Sequence, residues 1–156
     1  WKGQALPDGT PGMIYSQQLS PDGTSVIGPT TGLIQADQGW EAGVVEGPSM
    51  FVQLGRYLLL YSGNEWRGPD YAVGVAVCVT PAGPCRKPHD APVLASGGGV
   101  IGPGGQEVFA TDDGSVLVAY HGWARGEVGY PNRRRLYVAG MGLDGALLPV
   151  IEPRRG

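Results

Sequence analysis

The sequence predicts an all-β chain forming part of a β-propeller, and three observations carry that prediction. Of 156 residues, 28 are Gly and 14 are Pro. An interior Gly costs a helix about 1 kcal/mol and a Pro about 3, so almost no window of a dozen residues is left for one. Hydrophobic residues make up 42% of the chain, enough for a packed core, so the turn-rich composition does not signal disorder. They fall in short runs bounded by turn residues, the pattern of strands. The runs also repeat: Gly47-Pro48 followed by Tyr57 to Gly63 matches Gly102-Pro103 followed by Val116 to Gly122, 55 positions later. That interval is about one blade of antiparallel strands.

Taken in order, Trp1-Lys2 reads as the tail of a strand, with more chain expected upstream. Met13 to Leu19 leads into Ser20-Pro21-Asp22-Gly23, a turn in which Pro presets φ and Gly accepts a positive one, and Ser25 to Gly28 returns as a hairpin. Val44 to Gln53, Tyr57 to Ser62 and Tyr71 to Val79 are the next strands. Gln106 to Thr111, Ser115 to His121 and Arg134 to Met141 follow, with turns at Asp112-Asp113-Gly114 and Leu143-Asp144-Gly145. The division is therefore an outer hairpin of an incomplete blade over 1–40, a blade over 41–95 and another over 96–156, all within one partial domain. Two and a half blades cannot close a ring, so the chain is expected to be a fragment.

Net charge is -3, and Arg133-Arg134-Arg135 is too short a basic run to make a nucleic-acid footprint. No stretch approaches the roughly 20 apolar residues of a membrane helix. Neither nucleic acid nor membrane is an expected partner. Cys78 and Cys85 flank a turn-forming segment and could face each other at a hairpin mouth. A disulfide suits an extracellular setting, with two free thiols as the alternative. Two thiolates without a paired His supply only half a zinc shell.

Glu46 lies among apolar and small neighbours in Val44-Val45-Glu46-Gly47-Pro48. Desolvation there would raise its pKa toward that of a general acid; the plain alternative is a strand-end Glu facing solvent. The neighbouring text supports the first. Glu46-Gly47-Pro48, Tyr57 to Ser62, Tyr71 to Ala76, Gly83-Pro84 with Lys87, Gly102-Pro103-Gly104 and Ala119-Tyr120-His121 together resemble glycoside hydrolase family 43. That family holds arabinanases, α-arabinofuranosidases and β-xylosidases on a five-bladed β-propeller. The resemblance implies that Glu46 is the general acid of an inverting hydrolysis, in which two carboxyl groups lie about 6.5–9.5 Å apart. It also implies a general-base Asp and an acid-tuning second Asp, both in segments preceding Trp1. Asp22, Asp113 and Asp144 precede Gly in turns, where they cap their own backbone and do not replace either.

In the family a His two positions after Gly-Pro commonly holds a central metal or water network. The matching residue here is Gly105, so no cofactor is expected, and the central calcium that the resemblance would allow is not expected either. Gln106 and His121 are candidate pocket residues. His121 ends an apolar strand, and its alternative reading is a satisfied core histidine. The family's last-blade Arg, which holds sugar hydroxyls or the acid, falls on the Arg133 to Arg135 run, giving Arg134 and Arg135 as candidates. Alternation puts Arg134 on the opposite face from the other two without saying which faces inward. Trp66 is a candidate sugar-stacking residue, with Trp40 and Trp123 beside other motifs; core packing is the alternative for all three. The expected function is a secreted glycosidase acting on arabinose- or xylose-containing glycans, inactive as this fragment. A non-catalytic carbohydrate-binding propeller is the alternative.

Overall fold

The computed structural model describes residues 1–3 and 9–153. Its strands are β1 (Lys2–Gly3), β2 (Met13–Leu19), β3 (Val26–Gln35), β4 (Val45–Gln53), β5 (Arg56–Gly63), β6 (Ala72–Cys78), β7 (Cys85–Arg86), β8 (Val100–Ala110), β9 (Val116–Ala124), β10 (Arg135–Leu143) and β11 (Pro149–Pro153). A 3₁₀ turn at Gly39–Glu41 is the one helical element among the described residues. The strands form three antiparallel sheets, β1-β2-β3, β4-β5-β6-β7 and β8-β9-β10-β11, each running through its strands in chain order.

The sheets stack with β4–β7 in the middle, which explains the uninterrupted apolar run in β5. Leu60 joins a core with Val73, Val118, Tyr120 and Met141, between the middle and last sheets. Its neighbours Leu59 and Tyr61 join a second core with Ile14, Ile34 and Val45, between the first and middle sheets. A strand covered on both faces has no polar side, so alternation is lost where burial is greatest.

Both Gly-Pro motifs lie inside strands as β-bulges. Register shifts between Glu46 and Ser49 in β4, and on both sides of Gly104 in β8, where Gly47 and Gly102 take φ of 54° and 58°. A bulge bends its strand and re-aims nearby side chains. Here it does so beside Glu46. The strand β8 therefore begins at Val100, six residues before the expected Gln106, and β3 runs on to Gln35. Cys78 and Cys85 pair across β6 and β7 as a disulfide. Asp22, Asp113 and Asp144 each accept backbone N–H groups within their own turns.

The 3₁₀ turn is fastened by a buried ion pair. Glu41, fully buried, accepts Lys87 Nζ at 2.6 Å and the Tyr61 hydroxyl at 2.8 Å on Oε1, and the N–H groups of Asp37 and Gln38 on Oε2. Lys87 also donates to Asp37 and to the Gln35 carbonyl. Removing one partner of such a pair strands the other charge in a dry site, at a cost of about 3–5 kcal/mol. Lys87→Met is expected to lower unfolding stability by that amount, read from urea melts, whereas an exposed pair such as Arg135 with Glu127 should cost less than about 1 kcal/mol.

Candidate active site

A cleft of about 320 Å³ is lined by Glu46, Trp66, Tyr71, His121 and Arg134. Four strands converge there: the bulged start of β4 brings Glu46, β9 brings His121, and the residues just before β6 and β10 bring Tyr71 and Arg134.

Glu46 is held at both oxygens. Oε1 accepts the Tyr71 hydroxyl at 2.7 Å, and Oε2 accepts Lys2 Nζ from β1. Burial pushes the carboxyl up, as the sequence predicts, but the hydrogen bonds from Lys2 and Tyr71, with the charges of Lys2 and His121 beside it, together outweigh it. Contrary to the sequence expectation, Glu46 sits below the usual carboxylate range. Tyr71 is 3% exposed, and burial with the Glu46 carboxylate beside it raises its hydroxyl well above normal. Its ring lies almost parallel to His121, 12° apart with centroids 6.3 Å apart.

Arg134 fixes the opposite wall. Nε donates to His121 Nδ1 at 2.5 Å, Nη1 to the Trp66 carbonyl at 2.7 Å, and Nη2 to the carbonyls of Gly102 and His121. Its guanidinium also stands over the Tyr71 and Trp123 rings at 5.3 and 5.2 Å. Burial, then the Arg134 charge, hold His121 below its ordinary value.

Of the residues singled out from sequence, Glu46, Trp66, His121 and Arg134 meet in this cleft. Arg135 instead points to solvent and pairs with Glu127 at 2.6 Å. Gln106 is 3% exposed and lies behind the cleft, accepting the Ser62 hydroxyl at 2.7 Å and donating to the Gly47 carbonyl at 2.6 Å. Tyr71 and Lys2 were not singled out. Tyr71 opens a strand, where an aromatic reads as core, and Lys2 is 44 residues from its partner. The place of a central calcium is poorly matched. A hard cation needs several oxygen ligands, yet beside Gly105 stand an imidazole and a guanidinium. Among the described residues no three of His, Cys, Asp or Glu converge.

The Glu46 pairs stabilise the fold fully above about pH 4.3, the ordinary Glu value, and that contribution fades as pH falls through the lowered folded value. Lys2→Met is expected to move the Glu46 titration upward in carbon-13 NMR and to reduce the stability lost on acidification. Tyr71→Phe should shift it the same way.

The family model for glycosyl hydrolases family 43 matches residues 1–144. Among solved structures, a thermostable family-43 glycoside hydrolase superposes with a TM-score of 0.83 at 29% identity, covering 93% of this chain and 49% of its own. An endo-1,4-β-xylanase from Bacteroides thetaiotaomicron VPI-5482 gives 0.81 at 28%, covering 90% of this chain and 50% of its own. An α-L-arabinofuranosidase from Lactobacillus brevis gives 0.77 at 22%, over 88% and 46%, and at that identity shares the fold alone. Among curated proteins no sequence matches. The chain spans about half the length of these three structures. With a family match running from Trp1 to Asp144, the chain belongs to glycosyl hydrolase family 43.

Proposed function

We propose that the chain is the C-terminal part of an inverting glycoside hydrolase acting on arabinose- or xylose-containing glycans, with Glu46 as its general acid. The observation that carries this is Glu46 at the mouth of an open cleft, oriented through Oε1 by Tyr71 and faced by His121 and Arg134. The endo-1,4-β-xylanase among the structural neighbours, at 28% identity, agrees with that substrate class. His121, Arg134 and Trp66 are the sugar-facing residues. Gln106 supports the cleft from behind.

The three stacked sheets are successive blades of a five-bladed propeller, with residues 1–40 belonging to an incomplete one. The missing blades are the partners of this chain and carry the base Asp and the acid-tuning Asp. The disulfide favours a secreted protein. No cofactor is proposed, and the partner is a glycan rather than nucleic acid or membrane.

A general acid must carry a proton, whereas Lys2 and Tyr71 favour the ionised carboxylate. A second carboxylate competing for Lys2 would release Oε2 to the glycosidic oxygen, which gives the tuning Asp a physical task. The same pairing favours the second reading, a carbohydrate-binding propeller without turnover. Aryl arabinofuranoside and xyloside hydrolysis by the parent protein separates the two. Glu46→Gln is expected to lower kcat by about 10²–10⁴-fold, the usual worth of a positioned acid, with KM little changed. Sugar affinity without turnover in the unsubstituted parent would favour the binding protein. The isolated chain is expected to show no hydrolysis, because water has no positioned base; specific turnover by it would refute that.

A further inference from the structure

Gly105 and His121 occupy one side-chain space between them. A Cβ built on Gly105 would fall 2.2 Å from His121 Nε2, so the imidazole from β9 fills the room that β8 leaves by having glycine there. His121 Nδ1 receives the Arg134 Nε–H at 2.5 Å. A guanidinium has no lone pair to offer, so Nδ1 must be the unprotonated nitrogen and the ring proton resides on Nε2. Nε2 has no hydrogen-bond partner among the described residues, and His121 lines the cleft.

We propose that Gly105, His121 and Arg134 form a donor site for an uncharged oxygen, a hydroxyl of a bound sugar, with the neutral His121 presenting Nε2–H to it. The ligand class rests on the glycosidase reading; the protonation pattern does not. An acceptor oxygen fits because the site offers one N–H donor. A metal ion does not, because Nε2 has no free lone pair and Arg134 adds positive charge beside it. A flip of the ring would put Cδ2 where Nδ1 stands and lose the Arg134 bond. The charged and titratable groups around it are Arg134, Glu46 and Tyr71. Burial and Arg134, which favour the neutral form, outweigh Glu46.

The test is nitrogen-15 NMR of histidine-labelled chain, with His89→Gln to assign the two imidazoles. At pH 6.5 His121 is expected as the Nε2–H tautomer, unchanged by millimolar calcium, with xylobiose or arabinobiose shifting Nε2 more than Nδ1. A protonated Nδ1, a doubly protonated ring or a calcium-induced shift would overturn the donor site. No response to either sugar at concentrations up to saturation would overturn its ligand class. Gly105→Ala should push the ring aside and change the Nε2 signal; an unchanged spectrum would contradict the shared space. Failure of the parent to hydrolyse glycosides, with tautomer and sugar response intact, would remove the hydrolase reading and leave this site standing.

Discussion

The geometry of the cleft depends on one buried polar link between two sheets. Ser62, fully buried in β5, accepts the Gly105 N–H at 2.9 Å and donates to Gln106 Oε1, while the Gln106 amide nitrogen reaches the Gly47 carbonyl. Neither β4 nor β8 forms a ladder with the other, so these bonds, with Ser49 to Glu107 at 3.0 Å, set their spacing. The bulges create the need for the link. Where a strand departs from its ladder it frees backbone groups, and buried ones must find partners. The freed carbonyl of Gly47 and N–H of Gly105 find theirs across the sheet boundary. The same irregularity that aims Glu46 into the cleft thereby fixes its distance from the next sheet.

Around that link, absent side chains are as informative as present ones. A Cβ on Gly104 would lie 2.0 Å from Tyr71 Cε1, so the ring can lie flat on β8 only because no side chain intervenes. Tyr71 is thus set between the β8 backbone and Glu46, and its hydroxyl has little freedom to leave Oε1. Gly105 does the same for His121. Two consecutive glycines admit two rings from neighbouring elements, and Arg134 closes the stack through a cation over Tyr71 and a hydrogen bond to His121. The array is rigid because each member is held by at least two others.

Much of this was legible in the sequence, and the misses have physical reasons. Gly and Pro content, turn dipeptides and the 55-residue repeat led to the strands, because these are local signals, while the resemblance to family 43 is what singled out Glu46 as an acid and the Arg133 to Arg135 run. Alternation correctly put Arg134 and Arg135 on opposite faces but could not choose the inner one. That choice is made by the carbonyls of Trp66 and Gly102, which are remote in sequence. Gln106 has the polarity of a ligand-binding residue and the burial of a core one, and composition does not separate the two. Desolvation of Glu46 was readable from its neighbours. The opposing bonds from Lys2 and Tyr71 were not, since each depends on long-range contacts. The β8 start was missed because Gly-Pro reads as a turn, whereas a bulge keeps the strand going.

Glu46 therefore combines two demands that burial alone would not reconcile. Its cleft position suits an acid, and its two donors suit a carboxylate. Of the donors, Tyr71 is locked by packing, but Lys2 is 42% exposed at its side chain and sits on a two-residue strand. An exposed lysine pair is weakly held, since water competes for both charges and the long side chain loses freedom in forming it. The Tyr71 bond orients the carboxyl; the Lys2 bond chiefly sets its charge. The residue that determines orientation is thus rigid and the one that determines protonation is adjustable. A site arranged this way can gain or release a proton at Oε2 without Glu46 changing place.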